Sequence, residues 1–110
     1  MAKRAADSIT RGSGNVFADL GLPDADELDT RVRLTAAINA ILASRNLKQA
    51  EVAALLGINQ PKVSALRHYK LDGFSIERLM HFLVALNHDI EIVVKAKPRS
   101  RSARIAVLAA

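Results

Sequence analysis

The sequence contains no cysteine and no tryptophan. Without cysteine there is neither a disulfide framework nor a thiolate zinc site. Other aromatics are nearly missing too, with one Tyr and three Phe. The core must therefore be built from Leu, Ile, Val and Ala, which favours packed helices. No apolar run is long enough to span a bilayer. The N-terminus lacks the apolar stretch of a signal peptide, so a soluble, cytoplasmic protein without membrane contact is expected. His68, His81 and His88 are scattered along the chain and are joined by no cysteine or carboxylate cluster, so no metal is expected. There is no nucleophile–base–acid constellation and no phosphate-cradling glycine loop, so neither an enzyme nor a cofactor is expected.

What is present fits one small domain with loose ends: 110 residues, 50% of them hydrophobic, and a net charge of +5. The charge is unevenly spread. Residues 1–30 carry three Lys or Arg against six acids, a net of −3. Residues 31–88 carry eight against three, a net of +5, and residues 89–110 carry five against two, a net of +3. A basic domain behind an acidic front points to a polyanionic partner, although many basic faces are only solvated.

Residues 1–14 show no apolar periodicity and read as a flexible arm, with Gly12-Ser13-Gly14 as a joint. Val16, Phe17, Leu20 and Leu22 form a short apolar cluster that reads as one helical turn. Asp26, Glu27 and Asp29 then open a long helical pattern over about 26–45, with Leu34, Ile38, Ile41 and Leu42 at helical spacing. Two short helices follow, from Lys48 or Gln49 to Leu56 and from Gln60 to about His68, separated by Gly57. Asn59 suits the N-cap of the second, and Pro61 sits in its first turn, where a missing N–H does no harm. Ser75 caps a further helix with Ile76, Leu79, Met80, Leu83 and Leu86 on one stripe, out to about Asn87. From Asp89 to Lys97 the period changes: Ile90, Ile92 and Val94 alternate with Glu91, Val93 and Lys95, a strand pattern that Pro98 ends. The expected fold is mainly α, a four- to five-helix domain over 15–88, with one C-terminal β-strand at 89–97 and a basic, disordered tail over 98–110.

The segment Gln49-Ala-Glu-Val-Ala-Ala-Leu-Leu-Gly-Ile-Asn-Gln-Pro-Lys-Val-Ser-Ala-Leu66 meets the demands of a helix-turn-helix. Such a unit needs a small residue where the first helix faces the second, and Ala53 stands there. It needs a residue tolerant of a left-handed backbone at the turn, and Gly57 follows four residues later. It needs apolar pins to the core, and Val52, Leu56, Ile58, Val63 and Leu66 supply them. An ordinary helical hairpin explains the apolar stripe. It does not explain small Ala, Gly and an apolar residue at these intervals beside a surplus of Lys and Arg.

Gln49, Val52-Ala53, Gly57-Ile58, Gln60 and Val63-Ser64 resemble the helix-turn-helix of the phage repressor and Cro-like family, also called the xenobiotic-response-element (XRE) family. The resemblance spans about residues 30–87. A narrower one uses the Gly12-to-Gly21 run, Gln60-Pro61-Lys62-Val63-Ser64, Gly73-Phe74-Ser75 with Glu77-Arg78-Leu79, and the terminal Asp89-to-Val94 run. These look like antitoxins of the HigA type. That resemblance implies a dimer that binds a small, basic RNA-cleaving toxin of the RelE/HigB class and represses its own operon. It also implies that Gln49 bonds a DNA phosphate and buttresses a base-reading Gln60.

Helical geometry places Gln60, Pro61, Ser64, Ala65 and His68 on the outward face of the second short helix, and these five are the expected base-reading residues. Gln60 is the expected base reader, because its amide pairs bidentately with adenine N6 and N7. Pro61 stands where many phage repressors carry Ser, exchanging a hydroxyl for an apolar contact with a thymine methyl. Lys48, Gln49, Lys62, Arg67 and Lys70 are the expected phosphate contacts, with Lys48 replacing the usual Ser or Thr cap. Glu77 and Arg78 read as surface charge.

The strand cannot stand alone, since its ladder groups need a partner. The expected partner is the same strand of a second copy, giving a homodimer on a near-palindromic DNA site, with Ile90, Ile92 and Val94 in the interface. A toxin, or a hairpin within the chain, is the other possible occupant of that edge. The acidic front either covers a basic toxin or is an inert arm, and Arg99, Arg101 and Arg104 either add non-specific DNA affinity or are solvated. A stand-alone regulator and an interaction module that no longer meets DNA remain the other readings. Gln49, Gln60 and Lys62 speak against the module.

Overall fold

A computed structural model of the chain describes residues 25–109. The expected arm over 1–14 and the apolar cluster from Val16 to Leu22 lie outside the described residues. Helix α1 spans Ala25–Arg45, α2 Gln49–Leu56, α3 Gln60–Arg67 and α4 Ile76–Ala85. All four lie close to the spans read from the sequence. Residues Arg31–Glu91 make one compact unit, and the packing described below belongs to it.

Helix α1 opens with Asp26 and Glu27 in its first turn and closes with Arg45 in its last. Both charges oppose the helix dipole. Its inward stripe is Leu34, Ile38 and Leu42, one residue per turn, with fully buried Thr35 beside it. The rest of the core comes from Val52 and Leu56 of α2, Val63 and Leu66 of α3, and Leu79, Phe82 and Leu83 of α4. Ile58, Leu71, Phe74 and Leu86 close it from the connections. Truncating a fully buried Leu such as Leu66 to Ala costs about 2–5 kcal/mol.

The short helices depend on their ends. Asn59 Oδ1 accepts from the Lys62 backbone N–H at 2.9 Å, and Ser75 Oγ accepts from that of Arg78 at 3.1 Å. Each such cap is worth about 1 kcal/mol. Lys48 has no side-chain acceptor to offer α2. The Glu51 carboxylate accepts instead from the Lys48 backbone N–H at 2.8 Å, so half of a reciprocal cap forms.

Each helix stops at a left-handed residue: Asn46 (φ 53°), Gly57 (φ 70°), Tyr69 (φ 60°) and Asn87 (φ 66°). After α2, α3 and α4 the next amide reaches back to the helix: Ile58 to Ala53 O at 3.0 Å, Lys70 to Ala65 O at 2.9 Å and His88 to Leu83 O at 3.0 Å. These are the long bonds of Schellman closures. Side chains of α1 also donate to carbonyls at the ends of α3 and α4 and in the connection between them. Asn39 donates to Leu66 O at 3.3 Å, Arg45 donates to Leu86 O, and Arg31 donates to Leu71 O and Phe74 O at 3.3 and 3.4 Å.

The strand expected at 89–97 is not formed in the single chain, and no strand occurs among the described residues. Ile90 is partly buried, but Ile92, Val93 and Val94 are 78%, 74% and 93% exposed. The physical reason is the one that makes any lone strand unstable: a ladder needs a second strand, and the described part of this chain supplies none. Most of the tail through Leu108 is exposed and irregular.

Candidate nucleic-acid interface

The turn between α2 and α3 is three residues long, Gly57 to Asn59. Such a turn leaves no slack, so its geometry is fixed by Gly57. A Cβ built on Gly57 would meet nothing within 4 Å, so glycine is needed there for its φ of 70° and not for space. Ile58 is buried beneath the turn, and Asn59 restarts the chain as a cap.

Helix α3 is anchored by Val63 and Leu66, both 0% exposed. Successive residues turn by about 100°. With that pair inward, Pro61 and His68 point most directly outward, Ser64 and Ala65 flank them, Gln60 and Arg67 take one edge, and Lys62 takes the other. Gln60, Pro61, Lys62 and His68 are exposed, while Ser64 and Ala65 are partly buried. Helix α3 carries no carboxylate. A basic, acid-free helix with short side chains along its centre can enter a polyanionic groove closely.

Gln49 Nε2 donates to the backbone carbonyl of Gln60 at 3.0 Å, across the turn. The first residue of α2 thus holds the first residue of α3 by its backbone and leaves the Gln60 side chain free. Gln49 thus reaches the residue it is expected to buttress through the main chain, not through the side-chain amide.

The cations are not equivalent. Lys48 and Lys70 are exposed. Arg67 is partly buried, donates to Leu47 O at 3.2 Å, and lines an open cleft of about 390 Å³ with Asn39, Leu42, Ala43, Asn46, Leu47 and Tyr69. Its guanidinium therefore ties α3 to the connection just before α2. Lys62 Nζ lies 5.7 Å from the Phe74 ring centre. The His68 ring uses Nδ1 on Ser64 O at 2.8 Å, which leaves Nε2 outward. Among the described residues no three metal-ligating side chains gather, and no helix is long and apolar enough to cross a membrane.

This geometry can be set beside known proteins. A model of the helix-turn-helix domain family matches residues 16–95. A solved structure named "Putative XRE Family Transcriptional Regulator" is 62% identical, over 80% of this chain and 100% of that one, with a TM-score of 0.76. The chain belongs to the XRE-type helix-turn-helix family. Among curated proteins, none matches it.

Within this XRE-type domain, sequence reasoning missed two features. Arg78, read as surface charge, is partly buried, with its guanidinium 5.7 Å from the ring centres of both Phe74 and Phe82. Tyr69, in the turn after α3, holds a left-handed conformation while 45% exposed. A Gly-Phe-Ser run just before a helix was the available sign of the first. Nothing in the sequence marks the second.

Proposed function

We propose that this XRE-type chain is a sequence-specific DNA-binding transcriptional repressor that acts as a homodimer on a near-palindromic operator. The observation that carries the reading is the Gln49–Gln60 bond at the mouth of an acid-free α3. It fixes the start of the helix that carries a free amide able to pair with adenine, on a face suited to the major groove. Lys48, Gln49, Lys62, Arg67 and Lys70 provide phosphate contacts around it. Recognition is by binding; no step of catalysis is involved.

The dimer is proposed through residues 89–97. Ile92, Val93 and Val94 are left in solvent by the single chain, and Ile90, Ile92 and Val94 share one face if the segment extends. Pairing with the same segment of a second copy satisfies the ladder and covers that face. Two copies of α3 then lie about 34 Å apart, one turn of DNA.

The finer role we propose is that of an antitoxin in a type II pair, which neutralises a small basic RNA-cleaving toxin of the RelE/HigB class and represses its own operon. Its support is the resemblance in Gly73-Phe74-Ser75, Glu77-Arg78-Leu79 and Asp89 to Val94, together with the acidic balance of residues 1–30. A stand-alone regulator is the second reading, favoured by the name of the solved relative, which specifies transcriptional regulation alone. A tagged chain captured from its native host at moderate salt separates them. Co-recovery of a small basic protein encoded next door supports the antitoxin. Recovery of the chain alone, with the neighbouring gene expressed, leaves the stand-alone regulator.

A further inference from the structure

Two cations share one aromatic ring at the Lys62 edge of α3. Lys62 Nζ and the Arg78 guanidinium each lie 5.7 Å from the centre of Phe74, so they are no more than twice that distance apart. Phe74 itself is 2% exposed, held in the core edge-on to Phe82 at 6.0 Å and 72°. Arg78 rests on both rings. Phe74 therefore holds a charge from α3 and a charge from α4 within cation–π distance of one fixed ring.

An aromatic face attracts a cation but does not cancel its charge. Neither Lys62 nor Arg78 has an ion pair among the described residues. Glu77, the nearest acid in sequence to Arg78, is exposed and makes no such pair. Two like charges held together in this way repel, and the repulsion is relieved by an anion placed between them. Lys62 is exposed and Arg78 partly so, which leaves both reachable. The spot lies on the opposite edge of α3 from Gln60 and Arg67, where the second wall of a groove would run.

We propose that Lys62 and Arg78 form one phosphate-binding site, beside Phe74, that grips the DNA backbone on the far edge of α3. The proposal rests on the DNA-facing reading of α3 and adds to it a second anchor point supplied by α4. With Lys48 and Gln49 on one wall and this pair on the other, the outward face of α3 is fixed in depth and tilt.

The test uses the full chain, a 30-base-pair duplex selected from a randomised pool and an unselected duplex, with binding followed from about 50 to 200 mM salt. The variants are Arg78→Met, which keeps an aliphatic stem on the rings, Arg78→Lys, Lys62→Met and the Lys62→Met/Arg78→Met double. Arg78→Gln replaces the Met variant if a thermal melt shows that it does not fold. The expected result is a loss of about tenfold on both duplexes for Arg78→Met and a salt slope flatter by about one. Arg78→Lys should recover most of the affinity, and the double variant should lose less than the product of the single losses. Unchanged affinity and slope in Arg78→Met overturns the proposal. So does a double variant whose losses multiply, because that places the two side chains on separate phosphates. Gln60→Ala runs alongside. If it loses selectivity while Arg78→Met changes nothing, only this site fails; if the parent binds neither duplex, the DNA reading fails and the site with it.

Discussion

The side-chain amide of Gln49 donates to the backbone carbonyl of Gln60 at 3.0 Å, joining the first residues of two helices across the turn between them. The bond is local, and it holds in place the start of the helix that carries Gln60. Gln49→Ala should therefore weaken binding to a selected operator by about 1 kcal/mol, the net worth of one hydrogen bond. In a double-mutant cycle with Gln60→Ala the two losses should be less than additive, because holding the start of α3 aids the selected operator mainly through the amide that Gln60 carries there. Additive losses, read by titration of labelled operator, would show that Gln49 acts independently.

Gly57→Ala should destabilise the domain by about 1 kcal/mol through the backbone alone, since an added Cβ meets nothing within 4 Å. Thermal unfolding should show a fall of about 4–8 °C. Gly57→Asn should cost less, because Asn tolerates the left-handed region and already ends α1 and α4 there. Equal costs for Ala and Asn would put the requirement somewhere other than φ.

Tyr69→Asn should stabilise the fold. Tyr69 is the bulky exception among four left-handed helix ends, at φ 60°, and such a backbone costs a bulky residue of order 1 kcal/mol. The expected gain is a few tenths to about 1 kcal/mol, measured by denaturant titration. A loss of stability would mean that the contacts of the ring along the Arg67 cleft outweigh the strain.

Val94→Asp should abolish the proposed strand pairing. Val94 is 93% exposed in the single chain, so the substitution should leave the monomer fold intact. Solution mass should halve while the helical signal persists. A parent chain that is already monomeric, or a variant with unchanged mass, removes residues 89–97 from the interface.

Most of the helical frame was legible because its signals are local. Asn59 and Ser75 cap where their types and positions say they should. Gly57 turns left-handed where the motif demands it, and Val52, Val63 and Leu66 are buried as the spacing requires. What escaped was set by contacts across the chain. Arg31 reaches carbonyls forty and forty-three positions on, at Leu71 and Phe74. Lys62 and Arg78 come near one another because Phe74 lies within 5.7 Å of both. Lys48 looked like a lost cap, but Glu51 supplies half of it from within the helix. The period-two pattern of residues 89–97 is plain in the sequence, but its partner is not, and the described single chain leaves it irregular.

The most direct measurement of the central claim is the affinity of Gln60→Ala for a duplex selected by the parent chain, compared with an unselected duplex at the same salt. A loss of about 1–3 kcal/mol on the selected duplex, with little change on the other, is the predicted result for an amide that reads a base. Equal losses on both duplexes, or no loss on either, would contradict the assignment of α3 as the reading helix and of Gln60 as its reader.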